Sequence, residues 1–215
     1  PDEVSLLPVS KTKPPSMVEE AYQAGYRLFG ENKVQDALAK SELMDADHPG
    51  LEWAVIGGLQ TNKAKYVARF ATEFQALDSL KVARELDKRL QKEGRQLRVL
   101  VQVNSSVEPQ KSGIAPDEAV NFAKELAAFD SLDVRGLMTV ALNSSEPKAV
   151  ADCFDVVVGV QEKLRQEVNE VSDWSELSMG MSGDLEIAVA HGSTQVRIGT
   201  DIFGARTDPA EIWRP

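Results

Sequence analysis

Eight short apolar runs, each followed by a helix-sized amphipathic stretch, divide the chain almost end to end, and this alternation constrains the fold more than any single residue does. The runs fall at 6–10, 27–30, 52–57, 73–77, 98–104, 134–140, 177–181 and 196–203. Val99-Leu100-Val101-Gln102-Val103 shows their character: nearly continuous apolarity, as in parallel strands covered on both faces. Between the runs, Ala119, Phe122, Ala123, Leu126 and Ala127 keep a helical period behind Pro116-Asp117-Glu118. Ser79 offers an N-cap to a helix carrying Val82, Ala83, Leu86 and Leu90, which Gly94 ends. The longest helix starts near Glu146 and lines up Val150, Phe154, Val157, Leu164 and Val168, a stripe broken only by Gln161. Eight strand–helix pairs fit a closed (β/α)8 TIM barrel, whereas an open doubly wound sheet has about five to seven strands. At 215 residues the barrel is a small one, so residues 1–215 read as a single domain.

Composition removes several functions. The chain is 42% apolar and 27% charged, ordinary for a folded protein that needs no metal or disulfide to hold a core. Cys153 is the only cysteine and sits in an apolar helical stretch, so it reads as a buried structural thiol. His48 and His191 have no second ligand at a metal-binding spacing, and His48 reads as a loop residue before Pro49-Gly50. A net charge of −10 opposes nucleic-acid binding. No run reaches the roughly 18 apolar residues that cross a bilayer, and Pro1-Asp2-Glu3-Val4 is not a secretory start. The expected setting is cytoplasmic, the expected state a monomer.

In such barrels the working face lies where strands run into the following loops. Those positions hold Ser10-Lys11-Thr12-Lys13, Glu31-Asn32, Gly57-Gly58, Asp78, Asn104-Ser105-Ser106, Thr139, Ser182-Gly183-Asp184 and Gly199-Thr200-Asp201. Barrels often bind phosphate after strands 7 and 8, which singles out Ser182, Gly183, Gly199 and Thr200; otherwise Ser182 is a helix cap and Gly199 a packing residue. Lys11, closing an apolar strand, either reaches to water or acts as an amine nucleophile, which requires burial or a cation such as Lys13 to lower its pKa. Arg197, inside the run Val196-Arg197-Ile198-Gly199, must have a partner: a carboxylate in a structural salt bridge, or a ligand nitrogen.

Seven segments in order then resemble one family: Val9-Ser10-Lys11-Thr12-Lys13-Pro14, Phe29-Gly30-Glu31-Asn32, Ile56-Gly57-Gly58-Leu59-Gln60-Thr61-Asn62-Lys63, Gln110-Lys111-Ser112-Gly113, Gly136-Leu137-Met138, Leu177-Ser178-Met179-Gly180-Met181-Ser182, and the stretch from Val196 to Arg206. The resemblance is to the YggS/PROSC family of pyridoxal 5′-phosphate (PLP) homeostasis proteins. It implies a barrel similar to the N-terminal domain of alanine racemase, with PLP as a Schiff base on Lys11 and its phosphate on Ser182, Gly199 and Thr200. Asn32 would sit beside the ring. Arg197 would face the pyridine nitrogen and keep it unprotonated, a weak electron sink.

Related racemases take a second base, a tyrosine, from a further β-domain, and the sequence reaches Pro215 without one. Tyr22, Tyr26 and Tyr66 all read as helical. The resemblance therefore implies a carrier and regulator of PLP, serving vitamin B6 and amino-acid balance and passing PLP to apo-enzymes, without established catalysis. A PLP-dependent racemase or lyase, and a cofactor-free barrel enzyme acting on a phosphorylated metabolite, are the competing readings. Three departures stand out. Ala54 replaces the histidine of a Trp-His-Phe-Ile-Gly pattern, Lys33 replaces a common aromatic, and the first strand begins where the family has a leading helix. A barrel bottom left uncovered by that helix is expected to expose apolar surface.

Overall fold

The apolar runs pair side by side and all in parallel, in the order β1-β8-β7-β6-β5-β4-β3-β2. The strands are β1 (Ser5–Pro8), β2 (Leu28–Glu31), β3 (Glu52–Val55), β4 (Glu73–Leu77), β5 (Leu97–Gln102), β6 (Leu132–Met138), β7 (Glu176–Ser178) and β8 (Gln195–Ile198). They belong to a computed structural model that describes residues 4–106, 108 and 112–205. Gln110, Lys111 and Arg206, quoted above for the resemblance, lie outside the described residues. The ends of the sheet meet where Val9 bridges Gly30 and the Ser10 N–H donates to the Gly30 carbonyl (3.0 Å). The result is the expected barrel, nearly closed.

Around it lie α1 (Pro15–Gln23), α2 (Val34–Met44), α3 (Ala64–Phe70), α4 (Leu80–Glu93), α5 (Ala119–Leu126), α6 (Pro147–Glu167), α7 (Leu185–Ala190) and α8 (Thr200–Phe203). The periodic positions do the packing: Val82, Ala83, Leu86 and Leu90 of α4 and Val150, Phe154, Val157 and Leu164 of α6 are buried in one core with the outer faces of the strands. Ser79 stands at the N-cap of α4, although its side chain makes no capping bond. Gln161 explains its own place in the apolar stripe of α6: buried, it donates to the Trp174 carbonyl (2.6 Å) and ties α6 to the segment entering β7. Cys153 is buried on the same face. Tyr26 departs from its helical reading and lies in the connection between α1 and β2.

The largest departure is at the last strand. Pairing stops at Ile198, Gly199 turns, and both Ile202 and Phe203 donate to the Gly199 carbonyl, making residues 200–203 a helical turn and not strand. The apolar Phe203 that prolongs the run in sequence is instead buried with Val18, Phe29 and Trp53. At the start of the strands, Glu52, Glu73 and Glu176 open β3, β4 and β7, and Arg98 reaches Glu52 (3.1 Å) and Glu73 (3.6 Å).

His48, in the turn after α2, clasps two helices. Its Nδ1–H donates to the Met44 carbonyl (2.7 Å), its Nε2 pairs with Glu19 of α1, and the Tyr22 ring stands edge-on to it at 4.9 Å. The Met44 carbonyl, then the Glu19 carboxylate, hold the His48 pKa above its ordinary value. Because the folded state favours the charged ring, this contribution is fully present below about pH 6.5 and is lost as pH rises through the higher folded value. Urea midpoints should therefore show His48→Gln well below the parent at pH 6 and nearer to it at pH 9. A gap that widened with pH would contradict the assignment.

Candidate functional site

Lys11 is placed by backbone geometry. β1 ends three residues before it, and Thr12 adopts a left-handed φ of 61°, rare for a β-branched residue, which turns the chain sharply after the lysine. Behind it, Ser10, Glu31 and Lys40 form a buried polar knot. The Ser10 hydroxyl donates to Glu31 Oε1 (2.7 Å), and Lys40 Nζ donates to the Ser10 carbonyl (2.8 Å) and pairs with Glu31. Ser10 and Glu31 directly precede Lys11 and Asn32, so the knot fixes the two strand ends that deliver those residues. Burial pushes the Glu31 carboxyl up, against the pull of Lys40 and Ser10. Lys40 was not singled out from sequence. Its signal is its spacing: it lies three residues after Ala37 and four before Met44, both buried on the inner face of α2.

Asn32 is placed by an absent side chain opposite it. A Cβ at Gly57 would stand 2.2 Å from the Asn32 carbonyl oxygen, so only glycine lets the end of β3 pass this close. Gly199 does similar work beside the end of β1, where a Cβ would stand 3.1 Å from the Val9 carbonyl oxygen, tighter than ordinary contact. The turn it makes starts α8 at Thr200, and the first N–H groups of a helix have no acceptor within it. Facing them, Ser182 lies in the loop before α7. Asp184, and not Ser182, holds the N-cap position of that helix, so capping does not explain the serine.

Arg197 is 5% exposed. No carboxylate meets it in a salt bridge among the described residues, which corrects the structural-pair alternative. Its Nη1 donates to the Ser178 carbonyl (2.7 Å) and hydroxyl (2.9 Å), and Nη2 donates to the Thr139 carbonyl (2.7 Å). The Ser178 hydroxyl in turn donates to Gln75 Oε1 (2.7 Å). The backbone carbonyls of Thr139, just after β6, and of Ser178 in β7 are thus what a guanidinium in an apolar strand uses to stay charged. Burial pushes its pKa down to about 10, still protonated at neutral pH. In the sequence Thr139 reads only as a strand-end residue, and Ser178 only as part of a motif.

All six residues expected at the site, Lys11, Asn32, Ser182, Arg197, Gly199 and Thr200, line one cavity of about 440 Å³ with Val9, Ile56, Val140, Met181 and Gly183. Lys13, the cation considered as a neighbour for Lys11, is not in that lining; it is buried and donates to the Ala205 carbonyl. In a chain of net charge −10, the charged lining residues of this cavity are Lys11 and Arg197, with no carboxylate among those described. The volume is in the usual range for small ligands, about 300–1,000 Å³. A primary amine, a buried guanidinium, a hydroxyl pair and glycine backbone suit a ligand with an aldehyde, a ring nitrogen and a phosphate, so the donor set fits PLP.

The eight-stranded parallel barrel is of the alanine racemase N-terminal domain class, because the model of that family matches residues 1–207. The pyridoxal phosphate homeostasis protein of Vibrio alginolyticus is 40% identical over 208 residues, 96% of this chain and 88% of the relative. That of Escherichia coli K12 is 41% identical over 207 residues, 96% and 87%. The chain therefore belongs to the alanine racemase N-terminal domain family and, within it, to the pyridoxal phosphate homeostasis proteins. PipY of Synechococcus elongatus PCC7942, solved with PLP bound, superposes with a TM-score of 0.87 at 34% identity, covering 95% of this chain and 94% of PipY. Alanine racemase of Clostridium difficile 630, at 14% identity, covers 97% of this chain and 54% of its own with a TM-score of 0.77, a likeness of fold alone. Among the described residues no helix is long and apolar enough to cross a membrane.

Proposed function

We propose that residues 1–215 act as one PLP-binding barrel domain in which Lys11 holds PLP as a Schiff base, Ser182, Gly199 and Thr200 hold its phosphate, Asn32 lies beside the ring and Arg197 faces the pyridine nitrogen. The protein serves cytoplasmic PLP and amino-acid homeostasis as a monomeric carrier and regulator, passing PLP to apo-enzymes, and not as an enzyme. The observation that carries this is the electropositive cavity itself: two cations, no described carboxylate and two glycine-backed turns in an otherwise acidic chain. The homeostasis role of the named relatives and the PLP in PipY support the same reading.

PLP supplies an electrophilic aldehyde and a ring that can accept electrons; the chain decides how much of that is used. Arg197, charged and held by the Ser178 and Thr139 carbonyls, would face the ring nitrogen with an N–H donor and leave it unprotonated, which would weaken the ring as an electron sink. Ser182 contributes a hydrogen bond to a charged group, so Ser182→Ala should weaken PLP binding by about 1–3 kcal/mol, read by absorbance titration. Unchanged affinity would put the phosphate elsewhere.

A further inference from the structure

Beside the cofactor cavity lies a second one of about 640 Å³, between the loop after β6 and the start of α7, sharing Val140, Met181 and Gly183 with the first. The two lobes are opposite in charge. The first carries Lys11 and Arg197, whereas the charged lining residue of the second is Asp184, with no cation among those described. Asp184 Oδ1 accepts the Met181 N–H (2.5 Å), which fixes the carboxylate where the lobes meet. The rest of the second wall combines the aliphatic side chains of Leu142, Val150 and Ile187 with the uncharged polar run Asn143-Ser144-Ser145, and the shared Val140 and Met181 are 39% and 37% exposed. A carboxylate beside an aliphatic channel suits a group with an apolar stem and a cationic tip. An α-amino acid fits less well, because its own carboxylate would meet no cation in that lobe.

We propose that the second lobe is a binding subsite for a primary alkylamine, the side chain of a lysine on a partner segment, with its ammonium on Asp184 and its methylenes along Val140, Leu142, Val150 and Ile187. Resting on the PLP reading of the first lobe, this subsite places an acceptor amine next to the cofactor and names the partner chemistry as a lysine-bearing segment.

The test uses PLP-free protein and two probes, Nα-acetyl-lysine N-methylamide and its norleucine analogue, titrated by NMR. The lysine probe should shift amides in 142–150 and 183–187 and bind at least about fivefold more tightly than norleucine, as expected for a charge-assisted contact, and Asp184→Asn should close that gap. Shifts elsewhere or none, equal affinity of the two probes, or an unchanged preference in a folded Asp184→Asn protein would each overturn the proposal. Because no PLP is present, the outcomes separate. Lysine binding in a protein that never takes PLP fails the function proposed above, and PLP uptake without lysine binding fails only the subsite.

Discussion

Lys11→Ala protein is expected to form no borohydride-reducible chromophore with PLP while keeping its fold. The lysine lies past the last paired residue of β1, and what holds that strand is backbone and buried neighbours: pairing of residues 5–8 with β8, the Val9–Gly30 bridge, and Ser10 in the knot with Glu31 and Lys40. These contacts remain in the variant, so thermal unfolding should stay within a few degrees of the parent. PLP should then bind only non-covalently, through its phosphate and ring contacts. A reducible chromophore surviving in Lys11→Ala would mean that another amine is the anchor, and peptide mass spectrometry would identify it.

Lys40→Met should cost about 3–5 kcal/mol at neutral pH, the usual penalty for leaving one partner of a buried ion pair without the other. Both side chains are almost wholly inaccessible, at 1% for Lys40 and 0% for Glu31. Burial already pushes the Glu31 carboxyl up with Lys40 present, and without the ammonium it should rise further. A carboxyl whose folded pKa exceeds its unfolded value costs stability as pH climbs above about 4.3, so the defect should be largest at pH 7 and shrink toward pH 5. Urea unfolding at both pH values reads this out, and Glu31→Leu with Lys40→Met should recover much of the loss. A midpoint unchanged at pH 7 would show that the pair does not secure the strand ends.

The barrel was legible because its evidence is local. Runs such as Val99 to Val103 announce buried parallel strands, and their number selects closure. The error at the end of β8 has the same root, since Ile202 and Phe203 look like more strand until Gly199 turns and Phe203 packs with Val18, Phe29 and Trp53. At the site, Lys11, Ser182, Gly199 and Thr200 stand out by position after strands. Arg197 stands out as a cation in an apolar run, but its partners, the carbonyls of Thr139 and Ser178, are 58 and 19 residues away and become neighbours only when β6, β7 and β8 pair. Lys40 was missed for a related reason, and Asp184 reads from sequence only as one of the strand-end residues. A lysine buried by a carboxylate nine residues earlier, and a carboxylate that divides two cavities by charge, are properties of packed elements and not of spacing.

The most direct test of the central claim is the visible absorption spectrum of the PLP-loaded protein before and after borohydride, with mass spectrometry of the peptide containing Lys11. The account predicts a chromophore that borohydride removes and a pyridoxyl adduct on Lys11. A protein that stays colourless with PLP, or an adduct carried by another lysine, would contradict it.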